Sequence, residues 1–300
     1  MISSSPLAMT AFDYLQPATV QECAEMLAHY GSSASVLAGG TDLVVQLQHR
    51  AMRPRVVIGL ERIVELRYLE PDNDGGVSIG AMTLLRDVKE ASVLSNGLSL
   101  IRQGVTQVSC VQIRNMATLG GNSCNASPSA DTVPPLIAAG ATVRIVGRKG
   151  ERSLPLEDFF LAPGKTALKV GELLHGFAVP PPLPRTAGVY CKHAIRGPFD
   201  LAIVGIAAKV TLDERDRVRS ARIVMAAVGP TPLRARKAEV LLTGQVPTEA
   251  LIVEAGRTAA DEARPISDQR ASAEYRRSMV EVWTRSALRN ALYDARRAAA

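Results

Sequence analysis

The sequence is poor in the residues that mark several common function classes. Aromatic residues make up only 4% of the 300 residues. The net charge of +6 is therefore not interleaved with the stacking rings that single-stranded nucleic acid requires. The arginines are dispersed, which reads as solvated basic surface with some attraction for anionic ligands, and no nucleic-acid partner is expected. Cys23, Cys110, Cys124 and Cys191 are far apart and form no C-x-x-C pair. A disulfide framework and a cysteine-built metal site are not expected, and the cytoplasm is the default compartment. His29, His49, His175 and His193 have no ligand-like spacing, so no metal is expected. No apolar run approaches the roughly 18 residues of a membrane-spanning helix. The stretch MISSSPLAMTAFDYL lacks a basic segment followed by an apolar one, so no secretory leader is expected.

Three familiar nucleotide or nucleophile motifs are also missing. No G-x-G-x-x-G opens a helix, and no G-x-S-x-G is present. Gly164-Lys165-Thr166 resembles the end of a phosphate-binding P-loop, but Phe159 stands where the leading glycine belongs. With 47% hydrophobic residues, the chain has ample material for a full core and for two or three smaller ones.

The order of elements is legible. Thr19-Val20-Gln21-Glu22 is a capping box that opens a helix ending near Gly31. Ala34–Leu37 predicts a short buried strand, Asp42–His49 a helix and Arg55–Leu60 a second strand, which together form a small β-α-β-like unit. A hairpin follows around Asp72-Asn73-Asp74-Gly75-Gly76. Helices are predicted at Thr83–Glu90 and before Val108. Strands are predicted at Ala141–Val146 and Leu173–Val179, joined through Arg148-Lys149-Gly150. Pro180-Pro181-Pro182 marks a boundary. Beyond it, Gly188–His193, Leu201–Leu212 and Val218–Val228 predict an antiparallel meander. Helices are then predicted over Arg234–Leu242, Thr248–Ala263 and Ala271–Arg297.

The segment ATLGGNSCNASPSADTVPP, residues 117–135, is built almost wholly of small residues, as a chain would be where it leaves room for a ligand. Its Leu119-Gly120-Gly121-Asn122 has the same grammar as Ala38-Gly39-Gly40-Thr41-Asp42. Glycine allows φ > 0 and lets backbone N–H groups approach a phosphate. Thr41, Thr118, Asn122, Ser123 and Asn125 can donate to the same oxygens. Asp131 has two readings: it holds ribose or ribityl hydroxyls, or it caps the helix that Pro134 and Pro135 would begin.

Three strings occur in order: LAGGTDL (37–43), IRNMATLGGN (113–122) with SPSAD (127–131), and KHAIRGPFDLAIV (192–204). Together they closely resemble the FAD-binding medium subunit of the molybdenum hydroxylases, the group of xanthine dehydrogenase and aerobic carbon monoxide dehydrogenase. The resemblance spans nearly the whole chain. It implies an α+β protein with an FAD-binding part of the vanillyl-alcohol-oxidase (PCMH) type over 1–179, in subdomains of about 1–60 and 61–179. It adds a C-terminal domain of antiparallel sheet and helices over 185–300, like that of carbon monoxide dehydrogenase flavoproteins. By the same resemblance the first FAD loop falls on Leu37, Ala38, Gly39, Gly40, Thr41 and Asp42. The second falls on Ala117, Thr118, Gly121, Asn122, Cys124, Asn125 and Asp131, and the flavin surroundings include Lys192 and Leu174.

The chain would then work with a [2Fe–2S] small subunit and a molybdenum-pterin large subunit, in a dimer of heterotrimers, and pass electrons to NAD, a quinone, a ferredoxin or oxygen. Apolar positions of the last helix, Val280, Val282 and Trp283, are candidates for partner contact, each with a core role as the plainer reading. Carbon monoxide dehydrogenase flavoproteins usually carry histidine and serine where this chain has Thr41-Asp42, which favours a xanthine-dehydrogenase-like complex. The hydroxybenzoyl-CoA reductase branch needs a cysteine cluster that the four cysteines cannot supply as spaced. Two readings from other classes stand beside this one. A stand-alone flavin enzyme, of the UDP-N-acetylenolpyruvoylglucosamine reductase or vanillyl-alcohol oxidase type, should show its own catalytic residues, which are not found. A non-catalytic basic scaffold explains the charge but not the three ordered strings.

Overall fold

A computed structural model describes residues 9–298. The ends of both expected domains, 1–8 and 299–300, and much of the stretch read as lacking a secretory leader lie outside these residues.

The first unit is built on β1 (Asp13–Leu15), α1 (Val20–Tyr30), β2 (Ala34–Leu37), α2 (Leu43–Gln48) and β3 (Val56–Gly59). Its sheet is parallel, in the order β1-β3-β2. The capping box forms at α1: Thr19 accepts from the Glu22 N–H, and Glu22 reaches back to the Ala18 N–H at 2.7 Å. Cys23 and Ala24 on the inner face of α1 are fully buried, as are Ile58 of β3 and Ile63 and Leu66 after it.

The second unit begins with β4 (Leu69–Pro71), β5 (Val77–Gly80), α3 (Leu85–Glu90), α4 (Ser99–Thr106), α5 (Val111–Arg114), α6 (Leu119–Cys124) and α7 (Val133–Ala139). It continues through β6 (Thr142–Gly147), β7 (Gly150–Pro155), the small pair β8 (Phe160–Ala162) and β9 (Lys165–Thr166), and β10 (Glu172–Val179). The main sheet runs β4-β5-β10-β6-β7. The turn at Arg148-Lys149 therefore leads into β7, not into β10 as the sequence suggested, although β6 and β10 do pair. β7 carries no sequence signal because it is an edge strand, GERSLP, whose side chains are exposed or half-buried and leave no apolar stripe.

The third unit is the expected meander: β11 (Thr186–His193), β12 (Val204–Leu212), β13 (Val218–Ala226) and the short β14 (Leu233–Arg234), all antiparallel. Helices α8 (Arg236–Leu242), α9 (Glu249–Glu262) and α10 (Ala273–Arg297) cover one face. Val280, Ala287, Leu288, Ala291 and Ala295 of α10 are fully buried, following the period expected of a helix lying on a sheet. Val280 is thus core, whereas Val282 is 47% exposed and Trp283 is half-buried beside His193.

The other face of the third sheet lies on α4 and α7. Lys209 Nζ donates to the Ala139 carbonyl at 3.3 Å and Arg222 to the Ile137 carbonyl at 3.2 Å. Both cations therefore sit at the C-terminal end of α7, where the helix dipole favours positive charge.

Candidate functional site

The two glycine segments meet although nearly eighty residues separate them. The Asn125 amide donates to Asp42 Oδ1 at 3.2 Å. A Cβ placed on Gly39 would lie 2.0 Å from the Met116 carbonyl oxygen, so the first loop packs flush against the backbone of the second segment. Between them opens a cleft of about 310 Å³, more apolar than polar, at the small end of ligand pockets.

Ala38, Gly39, Gly40, Thr41, Asp42, Ala117, Thr118, Gly121, Asn122, Cys124, Asn125 and Leu174 all line it. Leu37 does not: it ends β2, and its carbonyl accepts from the Leu60 N–H at 3.0 Å. Ser35, Gln46, Met52, Leu60, Met82, Leu168 and Glu172 line it as well and had no signal in the sequence, except that Gln46 stands one helical turn beyond Asp42.

The two segments contribute differently. The first is an open turn with Gly40 at φ 75°, and among the described residues nothing accepts from the N–H groups of Gly39, Gly40, Thr41 or Asp42. Those donors belong to residues that line the cleft and have no acceptor within the protein, which suits a diphosphate. The second segment is not a loop but the short helix α6. Its leading N–H groups are taken within the protein: Leu119 by the Thr83 carbonyl, Gly120 by the Ala81 carbonyl, and Gly121 by Thr118 Oγ1 at 3.0 Å. Gly120 and Gly121 are small for packing reasons, since a Cβ on Gly120 would lie 2.6 Å from Ala81. This segment therefore offers side chains, chiefly Asn122 and Asn125, and not a backbone cradle. Burial raises the Asp42 carboxyl above its ordinary value and pushes the Cys124 thiol up to about 12, so that cysteine is an uncharged wall.

Asp131 and Lys192 do not line the cleft. They pair with each other at 2.8 Å, with side chains only 8% and 2% exposed. Asp131 also accepts from the Tyr190 hydroxyl at 2.7 Å. Burial raises its carboxyl above the usual range against the opposing pull of Lys192. The residue capping α7 is Thr132, without a side-chain capping bond, so Asp131 does not cap that helix. Lys192 is 61 positions away in the chain, and no spacing rule links the two.

A second, adjoining cleft of about 610 Å³ lies across the wall formed by Ala38, Gly39 and Thr118 and is lined by Tyr68, Arg67 and Arg86. Tyr68 is bonded by Arg144 and lies 3.2 Å from His175 Nδ1. Among the described residues no three histidine, cysteine or acidic side chains gather as a metal site, and no helix is long and apolar enough to cross a membrane.

Residues 10–182 match the FAD binding domain in molybdopterin dehydrogenase, and residues 190–291 match the CO dehydrogenase flavoprotein C-terminal domain. The chain belongs to the FAD-binding medium subunits of the molybdenum hydroxylases. It is 31% identical over 281 residues to the xanthine dehydrogenase FAD-binding subunit of Escherichia coli O157:H7, covering 93% of this chain and 95% of that one. It is 30% identical to the carbon monoxide dehydrogenase medium chain of Hydrogenophaga pseudoflava, with 92% and 96% covered. A solved carbon monoxide dehydrogenase from Hydrogenophaga pseudoflava, lacking the Mo-pyranopterin moiety, superimposes with a TM-score of 0.91 at 30% identity, covering 96% and 99% of the two chains. A quinoline 2-oxidoreductase from Pseudomonas putida 86 superimposes with a TM-score of 0.89 at 28% identity, with the same coverage. As a member of this family the chain is a subunit of an oxidoreductase, and FAD is its cofactor. The free N–H groups of 39–42 and the close approach at Gly39 fit that cofactor.

Proposed function

We propose that this chain is the electron-relay subunit of a xanthine-dehydrogenase-like molybdenum hydroxylase. It holds FAD where electrons released on a molybdenum-pterin large subunit and carried by a [2Fe–2S] small subunit can reach an external acceptor: NAD, a quinone, a ferredoxin or oxygen. The observation that carries this reading is the meeting of the two glycine segments around unpartnered backbone donors. Bound FAD supplies the electron-carrying chemistry, and the chain supplies position and electrostatics. Gly39–Asp42 would take the diphosphate, Asn122 and Asn125 the polar groups beside it, and Leu174 an apolar face of the cofactor. Thr41-Asp42 supports the xanthine-dehydrogenase-like subtype. The FAD-binding part takes in 1–179, in subdomains of about 1–60 and 61–179, and the C-terminal part 185–300. Three apolar clusters, one centred on each part, support that division, with Met82, Val146 and Leu173 joining the first cluster and Tyr190, Ala207 and Val224 the second. Four free cysteines support a cytoplasmic location.

A subunit that receives its electrons from partner chains needs docking surfaces of at least standard size, about 1,200 Å² or more. Co-expression with its genomic neighbours should yield a stable assembly with an iron–sulfur and a molybdenum subunit, sedimenting as a dimer of heterotrimers. A chain that stays unpartnered while its neighbours assemble with each other would count against this role.

A further inference from the structure

Lys192 uses every donor it has inside the protein. Its ammonium reaches Asp131 Oδ2 at 2.8 Å, the Gln107 carbonyl at 2.9 Å and the Pro198 carbonyl at 3.4 Å. The side chain is 2% exposed, so its three protons are all engaged within the protein. The contacts join three pieces of chain: the end of α4, the small-residue segment that follows α6, and the loop after β11. Tyr190, on the same strand as Lys192, takes the other Asp131 oxygen. Asp131 is thus clamped from β11 at both oxygens.

The clamp leads to the cleft in one further step. Thr132, next to Asp131 and almost fully buried, donates from Oγ1 to Asn122 Oδ1 at 2.6 Å. Binding the Asn122 carbonyl oxygen leaves its NH₂ as the end free to face the cleft it lines. Helix α4 closes the other side: a Cβ on Gly104 would lie 2.6 Å from the Asp131 carbonyl, so the segment cannot shift that way.

We infer that Lys192 is a positioning residue for FAD, which acts through Asp131 and Thr132 to hold Asn122 in the cleft without touching the flavin. The inference rests on the reading that this cleft holds FAD, and wild-type FAD binding tests that reading by itself. A lysine beside the flavin would instead change the flavin's electronics directly.

The test uses the full chain in Lys192→Met, Thr132→Val, the double variant of these, and Lys192→Met/Asp131→Asn. FAD affinity would be measured by flavin fluorescence, the reduction potential on whatever FAD is bound, and thermal stability in parallel. Lys192→Met leaves a buried carboxylate without its cation and should weaken FAD by about tenfold or more. Thr132→Val should weaken it in the same direction, and the double variant should lose much less than the product of the two losses, because both act through Asn122. Replacing Asp131 by Asn alongside Lys192→Met removes the stranded charge and should recover part of the affinity; this variant also serves if Lys192→Met does not fold. The potential of bound FAD should stay at the wild-type value throughout. A shifted potential in Lys192→Met at unchanged affinity would overturn the inference, as would independent, multiplying losses for Lys192 and Thr132. A fall in melting temperature with FAD affinity intact would reduce Lys192 to a domain fastener and overturn it too.

Discussion

Gly39→Ala is expected to strip the protein of FAD. The added methyl would stand 2.0 Å from the Met116 carbonyl oxygen, 2.8 Å from its carbon and 2.9 Å from the Ala117 Cα. All three are backbone atoms, so no rotamer change relieves the clash. The first loop must lift off the second segment, carrying with it the unpartnered N–H groups of 39–42 and stretching the Asn125–Asp42 bond. Overpacking of this kind costs about 1–3 kcal/mol or more, and at about 1.4 kcal/mol per factor of ten even the middle of that range weakens FAD by over tenfold if the displacement falls on the cleft.

Gly40 offers the contrast. A methyl there meets only the side-chain carbons Val44 Cγ2 at 3.2 Å and Leu37 Cδ1 at 3.3 Å, and its main penalty is the positive φ of 75°, about 1–2 kcal/mol for a residue with a Cβ. Gly40→Ala should therefore retain more flavin than Gly39→Ala. Titration of FAD into both apo variants, with melting curves alongside, checks the order. Wild-type affinity in Gly39→Ala would mean that the two segments do not close on the cofactor as described.

The second large effect is on stability. Arg276 of α10 is 3% exposed and donates to the Ile203 carbonyl at 2.6 Å, the Ala227 carbonyl at 3.1 Å and Asp268 Oδ1 at 2.9 Å. It ties α10 to the start of β12, the end of β13 and the turn before the helix. Arg276→Met keeps the apolar stem but strands two carbonyls and takes from Asp268 its buried cation, leaving that carboxylate the Arg270 and Ala271 N–H groups. Removing one partner of such a buried set costs about 3–5 kcal/mol, and the melting temperature should fall by on the order of 10 °C.

The deficit should depend on pH. Asp268 is held down to about 2, first by the Arg270 backbone N–H and then by Arg276, from an ordinary value of 3.8. A lowered carboxylate contributes stability above its unfolded value and loses that contribution as pH falls toward its folded one. The gap between wild type and Arg276→Met should therefore narrow from 3.8 down toward about 2, where Asp268 becomes protonated in both. It should not close, because the bonds to the two carbonyls do not titrate. Thermal melts across that range decide it, and a gap that widens toward acid would contradict the role given to Asp268.

Much of this fold is legible because the signals are local. The Thr19 capping box, the period of α10 and the apolar runs of β12 and β13 each fix an element within a few residues of the chain. The cleft is legible for a different reason: twelve of the fifteen expected contacts line it because ordered motifs, not spacing, pointed to them. Where the expectation failed, the cause is non-local. Gly120 and Gly121 look like a phosphate loop but are small because Ala81, Thr118 and Ala38 press on them. Asp131 and Lys192 stand outside the lining of the cleft because they find each other across the boundary between sheet units. The edge strand β7 has no buried face to announce it.

The most direct test of the electron-relay role is an anaerobic comparison of the FAD-loaded chain alone with the same chain in its assembled complex, each mixed with a purine or aldehyde substrate. The visible flavin band should persist in the isolated chain and bleach in the complex. Bleaching of the isolated chain at the rate of the complex would contradict the relay role and make this a flavin enzyme in its own right.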